Sequence, residues 1–159
     1  MTALLLLTVA SSVFAGLIGG VFFAFSVFVM RALAQLPPEQ GVAAMQRINV
    51  TVITPLFLGI FLGTVPLLAV ATYVAYRNGA SAAVTAWLFA ALVVYTVGSV
   101  GTTMALNVPR NNRLAGMAAT SSEATHYWPV YVKEWLLWNH VRTLASLLAA
   151  ACCIVAVAR

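Results

Sequence analysis

Four long apolar runs divide the chain: Thr2 to Met30, Val50 to Tyr76, Ala82 to Leu106 and Trp135 to Ala158. The first three carry no charge, and the last is broken only by Asn139, His140 and Arg142. A hydrocarbon core of ~30 Å takes roughly 20 apolar residues as a helix, so every run is long enough to cross, some with tilt to spare. The pattern predicts an all-α fold: an integral membrane four-helix bundle in one domain over 1–159, with spans at about 2–30, 50–76, 82–106 and 135–158. A longer polar loop at 107–133 would join spans three and four. Ser121, Ser122 and Glu123 read as a helix start inside it. Tyr127, Trp128 and Tyr131 fit interfacial aromatic anchors.

Composition sharpens this picture. Of 159 residues, 63% are hydrophobic and 7% charged, against about a quarter charged in soluble domains. Ser12-Val13-Phe14-Ala15 ends in small residues, as a signal cleavage site does. However, no basic segment precedes it and the apolar run continues past it, so an uncleaved first span is expected. Cys152 and Cys153 are adjacent in the last span. They cannot staple a loop and have no zinc spacing, so they read as small packing residues.

The net charge of +5 comes from basic residues scattered at helix ends, which points to orientation in a membrane and not to nucleic acid. Loops one and three share a side and hold Arg31, Arg47, Arg110, Arg113 and Lys133; the other side holds Arg77 and Arg159. That bias favours loops one and three in the cytoplasm of a protein of the cell membrane. Small residues at Ser12, Gly16, Gly20 and Ala24, at Gly59 and Gly63, and at Gly98 and Gly101 read as helix-packing faces. Pro55 and Pro66 would loosen backbone bonding in span two, bending it or opening a cavity.

The polar residues with chemistry converge at one end. Span two begins near Asn49, Thr51 and Thr54, span three ends with Thr102, Thr103 and Asn107, and span four opens Trp135-Leu-Leu-Trp138-Asn139-His140-Val-Arg142-Thr143. At ~100° per residue, Trp135, Asn139, Arg142 and Ser146 share one helix face, flanked by Trp138 and Thr143, while His140 is turned about 100° from Asn139. Arg142 falls about one turn inside the hydrocarbon boundary, where a cation is costly.

Two readings of this cluster stand side by side. In one, Asn139 and Arg142 satisfy backbone carbonyls freed at Pro55 or in loop three, with the tryptophans as anchors. In the other they form a pocket for a planar, weakly acidic aromatic molecule. Arginine would hold an enolate or phenolate, Asn49, Asn107 and Asn139 would bond carbonyls, and His140 would remove a proton.

Several strings extend the second reading. Leu36-Pro37-Pro38, Ala44-Met45-Gln46-Arg47-Ile48-Asn49, Gly63-Thr64, Asn107-Val108-Pro109 and above all Trp138-Asn139-His140-Val141-Arg142-Thr143 resemble the anthrone-oxygenase-like family of small membrane proteins. The resemblance spans nearly the whole chain, although Arg31, Thr54 and Arg110 depart from the pattern. It implies four membrane helices and, as in characterised members, oxidation of an anthrone to an anthraquinone by molecular oxygen without metal or flavin. It carries His140, Arg142 and Asn139 over as catalytic positions, and Asn49, Asn107 and Trp138 as matching ones; Trp135 and Thr143 join the substrate-binding set from the helix face.

Three hypotheses follow. The first is a cofactor-independent oxygenase acting on a hydrophobic polycyclic phenol, with His140 as base and Arg142 as anion stabiliser. The second is a membrane protein that binds a hydrophobic small molecule or lipid without chemistry. The third is a haem or metal redox protein using His126 and His140, for which three glutamates and no aspartate make a full ligand set hard to assemble. No metal site and no nucleic-acid partner is expected; the partners are a hydrophobic substrate and membrane lipids, and a homo-oligomer stays open. Ion-coupled transport is disfavoured, since no span carries an acid.

Overall fold

Five helices make up the chain in a computed structural model that describes residues 2–159. Helix α1 (Thr2–Ala34), α3 (Pro55–Arg77), α4 (Ala82–Ala115) and α5 (Ser122–Val157) are each long and apolar enough to span a membrane, and the chain is an integral membrane protein. Helix α2 (Pro38–Thr51) is short and lies between α1 and α3.

The helix starts are written in local chemistry. The Thr54 hydroxyl accepts the Phe57 N–H, Ser81 accepts that of Val84, and Ser121 accepts that of Ala124. Each hydroxyl satisfies one of the amides that a first turn leaves free. Pro55 and Pro38 occupy first-turn positions, where the missing N–H costs nothing. Pro55 therefore starts α3 and loosens no span. Span two begins at Pro55 and not at Val50, because 50–51 complete α2.

The four spans form a ring: α1 packs on α3 and α5, and α4 closes the ring from the other side against the same two helices. Most of the smooth stripes expected to mediate this packing do not do so, Gly98 being the exception. A side chain at Gly16, Gly20, Gly59 or Gly63 would meet open space. Close approach occurs instead at Gly19, against Leu147, and at Gly98, where an added Cβ would fall 2.5 Å from that of Ala145. Helix rotation decides this, and a four-residue spacing of small residues fits more than one face.

The region expected as a polar loop, 107–133, is helical except for 116–121. It extends α4 to Ala115, and α5 begins thirteen residues before Trp135. At 36 residues, α5 is ~54 Å long, well over the ~30 Å of a hydrocarbon core. Its excess length carries a second hydrophobic core. Tyr127, Trp128, Tyr131 and Trp135 of α5 pack there with Val42 and Met45 of α2, Met30 of α1 and Leu114 of α4. The aromatic residues read as interface anchors are thus buried cap residues, with Trp128 stacked on Tyr131 at 5.7 Å. Gln46 ties α2 to the end of α4 by donating to the carbonyls of Leu114 and Met117 at 2.8 and 2.9 Å. Loops one and three thus lie at the same end and build one cap. The other core, centred on Phe61, Leu68, Leu88 and Tyr95, fills the membrane bundle.

Candidate functional site

Between the two cores the backbone departs from α-geometry. In α1 the segment Phe25–Val29 widens, so that the Met30 N–H bonds the Phe25 carbonyl five residues back. In α4 the same widening covers Tyr95–Gly101 and Thr103–Asn107. Such turns are rare and recur at functional sites. Here they surround the polar face of α5.

That face is a connected hydrogen-bond network. Asn139 donates from Nδ2 to the Phe22 carbonyl at 2.7 Å and to Ser26 Oγ at 2.8 Å. With its amide hydrogens committed to α1, its Oδ1 is turned to Arg142, whose Nη2 donates to it at 2.7 Å. Thr143 donates to the Asn139 carbonyl and meets Ser26 Oγ at 3.1 Å. Asn107 donates to the Trp135 carbonyl at 3.1 Å. One turn deeper, Ser146 bonds Ser99 of α4.

Arg142 is only 5% exposed, and no carboxylate faces it. Among the described residues the single ion pair joins Arg110 to Glu134 at 2.8 Å. The guanidinium instead sits against two rings, 4.2 Å from the Phe22 centroid and 4.9 Å from that of Trp135. Aromatic faces attract a cation, yet they leave its formal charge uncompensated. Its Nε finds no acceptor in the protein, and neither does the buried Trp135 Nε1.

The residues Arg142 and Trp135 line a cavity of about 390 Å³. Phe22 and Phe25 of α1, Phe57 and Phe61 of α3, and Met104 and Val108 of α4 give it apolar walls. Gln46 and Asn49 of α2, with Asn111 and Asn112 of α4, line the cap side. Asn49 reaches Tyr131 Oη at 3.5 Å, and that hydroxyl donates to Asn111 Oδ1 at 2.8 Å.

The residues singled out from the sequence therefore separate into three groups. Asn49, Trp135 and Arg142 line the cavity. Asn139, Asn107 and Thr143 are buried behind it and position the others; Asn139 has no free donor to offer a substrate. Trp138 is half-buried and His140 exposed, and neither lines the cavity. The 100° offset of His140 carries it to the outer face of α5, away from anything held against Arg142. Thr103, already in the polar cluster, joins the site, and so do Phe22, Phe25 and Ser26, which had been given no role. Their signal lay in the run Gly20-Val-Phe-Phe-Ala-Phe-Ser26, which shows nothing of a wide turn.

A shared haem is not available to His126 and His140 within one chain. They stand fourteen residues apart on one helix, about 21 Å along its axis. Among the described residues no three His, Cys, Asp or Glu side chains come together as a metal site.

The anthrone oxygenase family matches residues 57–152. The chain belongs to the anthrone oxygenase family. The matched segment holds α4, nearly all of α3 and most of α5, and so includes Phe57, Phe61, Thr103, Trp135 and Arg142. The cavity walls given by α1 and α2 lie before it. No curated protein and no solved structure matches the chain. Family membership supports an oxygenase-like function at the level of the family.

Proposed function

We propose that the chain oxidises a planar, weakly acidic polycyclic phenol of the anthrone type with molecular oxygen, binding the substrate anion against Arg142. One observation carries the reading: Arg142, a buried cation without a counter-ion, and Trp135, whose indole N–H is unpaired, line an apolar cavity of about 390 Å³. A buried cation is strongly disfavoured unless paired, and an anionic ligand supplies the missing partner.

An anthrone suits these groups because loss of a benzylic proton turns its carbonyl into an enolate oxygen. Donors fixed where charge develops favour that form, and Arg142, with the Trp135 indole N–H beside it, would serve as those donors. No histidine or carboxylate lines the cavity among the described residues, so the proton passes to water while the arginine stabilises the anion left behind. The electron-rich ring carbon then reduces oxygen. Its CH₂ becomes C=O with one oxygen atom, and the other leaves with both hydrogens as water. The balance requires no further reductant, and the reaction is proposed as cofactor-independent.

The test is oxygen uptake by the purified protein with anthrone, corrected for uncatalysed oxidation, alongside metal analysis and an absorbance spectrum of the same sample. One oxygen consumed per anthraquinone formed, lost in Arg142→Met, supports the reading. Undiminished uptake in that variant overturns it. Tight binding of a hydroxyanthraquinone without any uptake moves the protein to the class of non-catalytic binders.

A further inference from the structure

We infer that the cavity opens sideways into the bilayer, beside the first two turns of α3, and that its substrate enters from the lipid phase as the uncharged acid. This rests on the proposed function for the identity of the substrate, and on separate observations for the route.

Helix α3 packs closely on its neighbours only beyond its beginning. Phe61 meets the rings of Phe22 and Tyr95 at 6.1 and 6.4 Å. Before Phe61, the wide segments Phe25–Val29 and Thr103–Asn107 are not brought against α3. The cavity occupies this gap, and the residues that both line it and reach the surface there are apolar. Ile53 is 65% exposed, Met104 59% and Leu62 47%, on the turn before α3, on α4 and on α3 respectively.

Depth places this rim in hydrocarbon. Helix α3 has 23 residues, ~35 Å, so that it just crosses a ~30 Å core and Pro55 lies at the boundary. Leu62 is then ~10 Å inside. Met104, 22 residues from the start of α4, stands nearer the level of Pro55, so the opening runs from the boundary down to Leu62, where it meets acyl chains. On the cap side α2 is fastened to α4 through Gln46 and the cap core lies above Trp135, and the lining there is polar, with Asn112 exposed and Asn49 and Asn111 half-buried. A charged substrate would pay desolvation on this route. A neutral phenol or anthrone would not, and it would meet the first fixed charge only at Arg142.

The experiment uses the full chain in lipid nanodiscs with Cys152→Ala and Cys153→Ala, and a nitroxide attached at Leu62→Cys. Collisions with dissolved oxygen and with a water-soluble nickel chelate are read by paramagnetic relaxation. A lipid-facing mouth gives frequent oxygen and rare nickel collisions, as at the control position Leu148→Cys on the exposed face of α5. Nickel collisions several-fold above that control overturn the inference. In a second readout, 1,8-dihydroxyanthraquinone binding is followed by stopped flow. Met104→Trp is expected to slow association by at least tenfold, whereas Leu148→Trp changes neither rate. Unaltered rates in Met104→Trp also overturn it. If the probe fails to bind the unsubstituted protein, the proposed function fails, and the collision data alone decide the route.

Discussion

Asn139 and Arg142 lie three residues apart on α5, and the arginine Nη2 donates to the asparagine Oδ1 at 2.7 Å. The bond is directional because Asn139 has already given both amide hydrogens to α1. Replacing Asn139 with leucine removes the acceptor at Arg142 Nη2 and the donors to the Phe22 carbonyl and to Ser26, which keeps only Thr143. Each buried polar group left unpaired costs about 1–3 kcal/mol. Thermal unfolding in detergent is expected to fall accordingly, with oxygen uptake lost in the fraction that remains folded. Wild-type stability in Asn139→Leu would refute the positioning role.

Arg142 itself should behave in the opposite way. An uncompensated buried cation is a poor source of stability, and methionine fills similar space without it. Arg142→Met is expected to unfold at the same temperature as the wild type or higher, while uptake falls at least a hundredfold. Arg142→Lys keeps the charge without the planar fork and should recover only part of the activity. A marked loss of stability in Arg142→Met would mean that the residue serves the fold.

His140 provides a sharper test of geometry. It is exposed on the outer face of α5 and lines no part of the cavity. His140→Ala should leave oxygen uptake within about twofold of the wild type. Loss of turnover with folding intact would restore histidine as the base and displace the mechanism given above.

Two glycines distinguish real from apparent packing faces. Gly98→Ala would bring its Cβ 2.5 Å from that of Ala145, forcing α4 and α5 apart at a cost of about 1–3 kcal/mol. Gly20→Ala meets open space and should gain roughly 0.5–1 kcal/mol from helix propensity. Equal effects of the two substitutions on thermal unfolding would contradict the helix rotations described here.

Much of this was legible in the chain. The four spans follow from hydropathy alone, and helical spacing placed Trp135, Asn139, Arg142 and Ser146 on one face, all four of which are buried. That same spacing already turned His140 away from them. The wide turns in α1 and α4 were not legible, since a hydrogen bond to the fifth residue instead of the fourth leaves no mark in composition. Their consequence, the inclusion of Phe22 and Ser26, was hidden with them. The cap core was missed for a different reason. Between Asn107 and Lys133 the apolar residues are interleaved with arginines, asparagines and serines, and the stretch averages as polar until its helices fold back on α2.

The network between Asn139 and α1 also sets an order of events during synthesis. As an isolated segment, α5 must insert with Arg142 in its upper half, at a penalty approaching the ~2.5–3.5 kcal/mol of a mid-membrane arginine. What shelters that charge, the Phe22 ring and an Asn139 oxygen oriented by the bonds its amide nitrogen gives to Phe22 and Ser26, is assembled only once α1 is beside α5. The ribosome delivers α1 first and α5 last. The most reluctant segment thus reaches the membrane when its receptor is already waiting there, and chains truncated before Arg142 hold an unfinished cradle with no cation in it.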